Sequence, residues 1–178
     1  LYETINGNTD PLLFMDVVNS FNSTLDEGDD KNDENFIELV NFAKRVIQRE
    51  IVKSEFYLKQ KKRIKKLFDE AEDKRYIVLD VPITSMVVIS LLNEYKEPLF
   101  FVVPAKQDVK WKIRTVLTPP KSFKSRKLLP KQWAGKTGKD LAEITGVEDA
   151  MFCHNERFIA VAGSKEGAVA LVKKALEA

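Results

Sequence analysis

The sequence predicts an α/β (α+β) fold, in which a small mixed sheet with flanking helices follows a long helical annex. From Glu34 to about Lys74, apolar side chains recur at three- and four-residue steps, without Pro or Gly. Short apolar or alternating runs follow between residues 76 and 162, and a capped amphipathic segment comes last. We therefore expect an acidic flexible segment and helical annex in residues 1–75, and an α/β domain in residues 76–178.

The first part of the chain reads as helix and loop. "PLLFMDVVNSF" (11–21) predicts a short amphipathic helix, whereas residues 6–10 and 22–35 are rich in Asn, Asp, Ser and Gly and predict poorly ordered loops. The periodic segment is one long helix or two stacked helices. It contains the basic run "KQKKRIKK" (59–66), which could bind nucleic-acid phosphates. Because Ile64 continues the apolar stripe through this run, the lysines also fit the outer face of an ordinary helix.

The next elements are a strand, a helix and a hairpin. "YIVLD" (76–80) predicts a short buried strand, and the length of "TSMVVISLLNEY" (84–95) favours a helix despite its β-branched residues. "PLFFVVP" (98–104) predicts a central strand, joined through "AKQ" to the alternating run "DVKWKIRTVL" (108–117). The alternation assigns two sets of side chains to opposite faces. The core face takes Val109, Trp111 and Ile113, and the other face takes Lys110, Lys112 and Arg114.

The last third predicts a helix, two strands and a helix. "TGKDLAEITGV" (137–147) begins with a cap near Thr137 or Gly138, and Gly146 ends it in a left-handed conformation. "AMFCH" (150–154) and "RFIAVA" (157–162) predict strands around the turn 155–157. Ser164 is the predicted N-cap of the final helix.

Charge is distributed unevenly, although the net charge is only +2. Residues 1–38 hold ten acids and one base, whereas residues 104–139 hold eleven bases and one acid. The basic half includes "FKSRKLLPKQWAGK" (123–136). This asymmetry fits an anionic partner, or simply a solvated surface.

Composition also limits the class of protein. No run of 18 apolar residues occurs, so we expect no membrane partner. No secretory signal opens the sequence, and Cys153 is the single cysteine, which excludes an internal disulfide and fits an intracellular protein. The sequence does not begin with Met, so we expect a fragment of a longer protein. It leaves the oligomeric state open.

Residues able to perform chemistry are few. The chain has one histidine, His154, and no phosphate-binding Gly-rich loop, nucleophile elbow or paired-cysteine metal motif. Cys153 and His154 are neighbours on a predicted strand and point to opposite faces, which argues against a nucleophile–base pair. His154 fits a structural role or a ligand role. Trp133 fits the core or a stacking platform, and the helix start at Ser164 fits a plain cap or an anion site.

The carboxyl-terminal third resembles the melanocyte proliferating gene one family. The motifs are "SFKSRKLLPKQWAGKTGKDLAEITGVEDAMFCHNERFI" and "SKEGAVALVKKAL". The residues that fill the family pattern are Ser122, Phe123, Ser125, Arg126, Leu129, Pro130, Trp133, Gly135, Leu141, Gly146, Phe152, His154, Phe158, Ile159, Ser164, Glu166, Gly167 and Ala168. The chain departs from the pattern at Arg157 and at Ala160–Val161, where the family usually has glycines.

The resemblance implies the fold and function of a DHH-like metal-dependent hydrolase that acts as a 3′-to-5′ RNA exonuclease. The metal-ligand segments of the family, Thr-His-Asn-Gly-x-Phe-His-Cys-Asp-Glu and Asp-His-His, do not occur here. The resemblance therefore implies the substrate-side domain of a DHH-type phosphoesterase. It would contain no cofactor itself, would not be an enzyme alone, and would act with a separate catalytic domain that binds a divalent metal, with manganese the expected ion.

The resemblance also implies substrate contacts, with RNA or a nucleotide phosphate as the partner. The expected substrate-binding residues are Arg126, His154, Ser125, Ser164, Lys165 and Trp133. Arginine suits phosphate because its planar fork matches the phosphate oxygens. The implied location is the nucleus or mitochondrion. The alternative function is a non-catalytic RNA-binding or protein-interaction module, since the charge distribution fits it equally well.

Overall fold

The computed structural model describes residues 14–24, 26–27, 29–106, 109–118 and 124–178. The helices and strands within them are, in order, α1 (Phe14–Asn19), α2 (Asp29–Glu70), β1 (Tyr76–Val78), α3 (Ser85–Leu92), β2 (Phe100–Pro104), β3 (Trp111–Thr115), a short 3₁₀ helix (Lys131–Trp133), α4 (Gly138–Thr145), β4 (Ala150–Cys153), β5 (Ile159–Ala162) and α5 (Lys165–Glu177). The predicted mixed α/β class is confirmed. None of the helices in the described ranges is long and apolar enough to cross a membrane.

The chain divides into two compact units, Leu1–Phe56 and Tyr57–Ala178. In the first unit, the rings of Phe21 and Phe42 lie with their centroids 5.9 Å apart. The Asn35 amide donates a hydrogen bond to the Ser23 hydroxyl over 3.1 Å. The predicted boundary at residue 75 falls inside the second unit, because the carboxyl-terminal turns of α2 belong with the sheet.

Helix α2 is a single long helix, which is one of the two predicted alternatives. It begins at Asp29, so the predicted loop over 22–35 is wrong for residues 29–35. Within this polar stretch Lys31 and Glu34 form an ion pair at 2.7 Å. Opposite charges three residues apart lie on the same side of a helix and favour it. The loop predicted over residues 6–10 lies outside the described residues.

The second unit is built on a five-stranded sheet in the order β1-β2-β3-β5-β4. Strand β1 pairs with β2 in parallel, with Tyr76 opposite Phe100. The other pairs are antiparallel, which confirms the predicted hairpin β2–β3. The strands predicted around the turn 155–157 are also confirmed, as the pair β4–β5.

Two hydrophobic cores lie on opposite faces of this sheet, because successive strand residues alternate between faces. Phe100 and Ile113 pack into the first core with α5, and Phe101 packs into the second core with α3 and Ile64 of α2. Full burial of such a side chain stabilises the fold by about 1.5–3 kcal/mol. One element of the alternation prediction is wrong: Val109 is 87% exposed, since β3 begins only at Trp111.

Two helix boundaries follow the predicted chemistry. Gly146 ends α4 with φ +62°, and its N–H donates to the Ala142 carbonyl. Ser164 precedes α5 and accepts a hydrogen bond from the Gly167 N–H through its side chain. The predicted capping of both helices is therefore confirmed at these two residues.

The turn between β4 and β5 contains an unusual backbone conformation. Arg157 has φ +56°, the left-handed region that favours glycine. Its carbonyl accepts from the Leu129 N–H at 2.9 Å, and its guanidinium donates to the Leu129 carbonyl at 3.3 Å. The glycine that the family pattern places here therefore has a conformational reason.

We expect Arg157→Ala to be less stable than Arg157→Gly by about 1 kcal/mol, because alanine keeps a Cβ in the left-handed conformation. Both variants lose the guanidinium contact with Leu129, so their difference reports on the backbone alone. Urea unfolding of the two variants measures it. An alanine variant as stable as the glycine variant would contradict the left-handed assignment.

Candidate nucleic-acid interface

Arg126, the predicted phosphate ligand, is held by the protein itself. One terminal nitrogen donates to the carbonyls of Tyr95, Lys96 and Pro98 at 2.8, 3.2 and 3.0 Å. The other donates to the side-chain oxygen of Asn93 at 3.0 Å. Burial lowers the pKa of this guanidinium from its ordinary value. These bonds connect the basic segment to the link between α3 and β2, and a phosphate would have to compete with them.

Two neighbours of Arg126 in the basic segment also have structural contacts. Lys127 donates to the Leu176 carbonyl at 3.2 Å, near the end of α5. A lysine there satisfies a carbonyl that the helix itself leaves unbonded. Trp133 is 4% exposed and packs in the first core, so a stacking role for its ring would require the core to open.

We expect Arg126→Lys to lower the free energy of unfolding by about 1–3 kcal/mol, because one ammonium group cannot reach four oxygens in this planar arrangement. Arg75→Lys is the matched control, since Arg75 makes an ion pair with Asp73 at the surface. That change should cost less than about 1 kcal/mol. Chemical unfolding distinguishes the two, and equal costs would show that the Arg126 bonds contribute little.

The helix start at Ser164 is already occupied by a carboxylate. The Ser164 hydroxyl donates to Asp149 at 2.5 Å while accepting from the Gly167 N–H at 2.9 Å. A Cβ on Gly167 would overlap the Asp149 carboxylate. Lys165 bonds Asp80 at 2.7 Å, and its ammonium lies 5.7 Å from the centroid of the Trp111 ring. Ser164 and Lys165 thus both have partners within the chain. Their roles in substrate binding remain predictions.

We expect Gly167→Ala to destabilise the protein by about 1 kcal/mol or more, because the new methyl group displaces the Asp149 carboxylate from Ser164. In an Asp149→Ala background the same change should become stabilising by up to about 1 kcal/mol, since alanine is the better helix former. A double-mutant cycle by thermal or chemical unfolding tests this reversal. Equal effects in both backgrounds would refute the steric coupling.

Ser125 contacts the end of β3 at Thr115, and His154 directly follows the end of β4. The Ser125 and Thr115 hydroxyls are 2.7 Å apart, and the Thr115 hydroxyl donates to the Phe158 carbonyl at 3.5 Å. The His154 ring lies 4.5 Å from that of Phe158, and its Nδ1 accepts from the Glu156 N–H at 3.1 Å. His154 follows the end of β4 and is partly exposed. The structure thus links these two predicted residues through Thr115 and Phe158.

The predicted site residues therefore form separate groups. Lys165 contacts the ring of Trp111, at the start of β3, whereas Ser125 contacts Thr115 at its end. Four residues of strand span about 13 Å. The guanidinium of Arg126 bonds the link between α3 and β2 rather than turning toward His154. A single phosphate cannot contact both ends of β3.

Cys153 is an inert thiol in this fold. It is buried in the first core, and burial raises its pKa to about 11. Its sulfur lies 3.7 Å from the His154 carbonyl oxygen, so its contact with His154 is through the backbone. This geometry agrees with the interpretation that the two residues are not a nucleophile–base pair. Within the described ranges, no group of three or more His, Cys, Asp and Glu could hold a metal ion.

Sequence reasoning did not select Arg114 and Phe158 as site residues. The Arg114 guanidinium lies 5.3 Å from the centroid of the Phe158 ring, and the centroid of that ring lies 4.5 Å from that of His154. Its Nε is buried and has no hydrogen-bond partner in the described part of the chain. The alternation of residues 108–117 already placed Arg114 on the face away from the first core, which was the available signal.

Comparison with known proteins decides the family. Residues 6–176 match the family MYG1_exonuc, described as "Uncharacterised protein family (UPF0160)". The chain belongs to this family. The resemblance inferred from the carboxyl-terminal motifs is therefore confirmed.

Individual relatives match over part of the chain. The human MYG1 exonuclease is 33% identical over 78 residues, covering 44% of this chain and 21% of the relative. The mouse MYG1 exonuclease is 32% identical over 81 residues, covering 46% of this chain and 21% of the relative. The Dictyostelium discoideum MYG1 protein is 32% identical over 84 residues, covering 47% of this chain and 26% of the relative. These matches span about a fifth to a quarter of the relatives. No solved structure gives a significant match.

Proposed function

We propose that this chain is the substrate-binding domain of a metal-dependent phosphodiesterase that shortens RNA from its 3′ end. Membership of a family whose human and mouse relatives are named exonucleases supports the reaction class. The observation that carries the binding role is the end of the sheet at His154. There the partly exposed imidazole of His154 lies beside the ring of Phe158. The guanidinium of Arg114, whose Nε has no hydrogen-bond partner in the described part of the chain, lies over the same ring.

The chemistry of this end suits a nucleotide. His154 Nδ1 accepts from the backbone, so the tautomer that makes this bond carries its proton on Nε2, which can donate to a phosphate or ribose oxygen. Arg114 adds a positive charge. The metal, with manganese the expected ion, would be bound by a separate catalytic domain and would activate water and polarise the phosphate. The present chain would hold and orient the RNA, in the nucleus or mitochondrion.

We expect the chain to bind a single-stranded RNA of about ten nucleotides, with an affinity that falls steeply as salt rises from about 50 to 200 mM, since each phosphate contact releases counterions. Fluorescence anisotropy of a labelled oligonucleotide measures this. The same chain with Mn²⁺ should leave the RNA uncut. Absence of binding at the lowest salt, or an affinity indifferent to salt, would refute the RNA-binding role.

The catalytic part of the proposal is tested in a relative. In the human relative, the matched segment is replaced by the corresponding segment of this chain. Metal-dependent 3′ trimming should survive this replacement and be lost when the segment is deleted. Trimming that persists after deletion in a folded protein would contradict a substrate-binding role and would favour a separate interaction module.

A further inference from the structure

Two rows of side chains cross β3, β5 and β4 on the sheet face opposite α5. The register places Lys112 opposite Val161, and Val161 opposite Phe152. The second row begins with Arg114 opposite Ile159, whose carbonyl accepts from the backbone of His154. Directly opposed residues in an antiparallel pair share a face. The platform face is defined here as Lys112, Arg114, Ile159, Val161, Phe152 and His154, all of which are partly exposed.

The two ends of these rows differ in chemistry. The β3 end carries the two cations, for which the structure gives no ion pair with an acid in the described ranges. The β4 end carries the rings of Phe152 and His154, whose centroids are 6.2 Å apart in an edge-on arrangement. Ile159 and Val161 lie between them. The face therefore combines positive charge, apolar surface and aromatic rings, without an acid in either row.

Arg114 has a donor that the fold does not satisfy. Buried polar groups are nearly always hydrogen-bonded, and leaving one unpaired costs free energy. The Nε of Arg114 is buried without a partner in the described part of the chain, whereas Arg126 has its bonds met internally. The partly exposed guanidinium of Arg114 makes no hydrogen bond in the described part of the chain, so an oxygen ligand can contact it without displacing one. A ligand arriving at Arg126 would have to displace existing bonds. Arg114 is therefore better suited to hold a phosphate.

The spacing of the platform face fits single-stranded nucleic acid. Adjacent strands lie about 4.8 Å apart, so the cations of β3 and the rings of β4 are separated by about 10 Å. A nucleotide can place its phosphate on the cations and its base on the rings over such a distance. Lys112 and Arg114 are separated by about 7 Å along the strand, which suits successive phosphates. A duplex hides the base faces that would stack here, which favours a single strand.

We propose that the platform face binds a single-stranded RNA segment, with Arg114, rather than Arg126, contacting a phosphate and Phe152 providing a stacking surface. The proposal rests on the proposed function and specifies its contacts. It adds that the RNA lies with its phosphates along β3 and its bases directed toward β4, instead of following the basic segment 124–136.

Three variants of the full chain test the proposal by anisotropy with a labelled RNA of about ten nucleotides. Arg114→Met keeps the alkyl stem over Phe158 and should lower the salt slope by about one unit as well as the affinity. Phe152→Ala should weaken binding by about five- to a hundred-fold, and Phe152→Tyr should restore it. Lys173→Met, at an exposed position on α5, makes the same charge change on the opposite side and should have little effect.

A second measurement does not depend on the folding of any variant. Crosslinking of wild-type chain to RNA containing 4-thiouridine should map to peptides within residues 111–115 and 150–162. An abasic oligonucleotide should be bound more weakly and should be insensitive to Phe152→Ala. These results would support stacking in addition to charge.

The outcomes separate this inference from the proposed function. If the wild-type chain binds RNA but folded Arg114→Met and Phe152→Ala bind as wild type, with crosslinks in 124–136, the platform face is refuted and the RNA-binding role stands. Equal losses in Arg114→Met and Lys173→Met would also refute it, because binding would then follow net charge alone. If the wild-type chain binds no RNA, both proposals fail.

Discussion

The bonds of the Arg126 guanidinium organise the second unit. They join the basic segment to the turn between α3 and β2, through three carbonyls and one amide oxygen. The backbone N–H of Arg126 also donates to the Val116 carbonyl at 2.8 Å. Ser125 is thereby placed against the end of β3, where its hydroxyl meets Thr115. The position of the basic segment depends on these bonds of Arg126, and so does the shape of the sheet end where His154 lies.

The basic segment uses two of its cations for contacts within the protein. Charge-assisted bonds to carbonyls are strong contacts, and a guanidinium can make several in one plane. Arg126 and Lys127 use their charge to satisfy backbone oxygens, and Trp133 fills the core. A cluster of cations in sequence is therefore not necessarily a cluster of cations available to a ligand. At Arg114 the opposite holds, because its partly exposed guanidinium makes no hydrogen bond in the described part of the chain.

The structure gives a physical reason for some of the glycines in the family pattern. Arg157 stands where the family usually has glycine, and it has a left-handed φ of +56°. Gly167 lies where a methyl group would meet Asp149. Ala160, in place of another family glycine, is a buried residue in the middle of β5, opposite Ile113. Two of these positions constrain conformation or space, while the third is ordinary strand packing.

The sequence by itself determined the elements that local patterns encode. Period-two alternation located β3, three- and four-residue periodicity located α2, and capping residues located the boundaries at Gly146 and Ser164. These features depend on neighbours a few residues away, so they can be read along the chain. The start of α2 was misjudged because the same polar residues favour loops and helix starts alike.

Only the tertiary structure decided which charged side chains have partners. Arg126 bonds residues about 30 positions earlier, Ser164 bonds Asp149, and Lys165 bonds Asp80. No periodic pattern encodes such pairings, because they depend on how the strands are ordered in the sheet. The order β3-β5-β4 likewise places Arg114 in one row with His154, forty positions away in sequence. The candidate site is a product of that register, which the sequence alone does not specify.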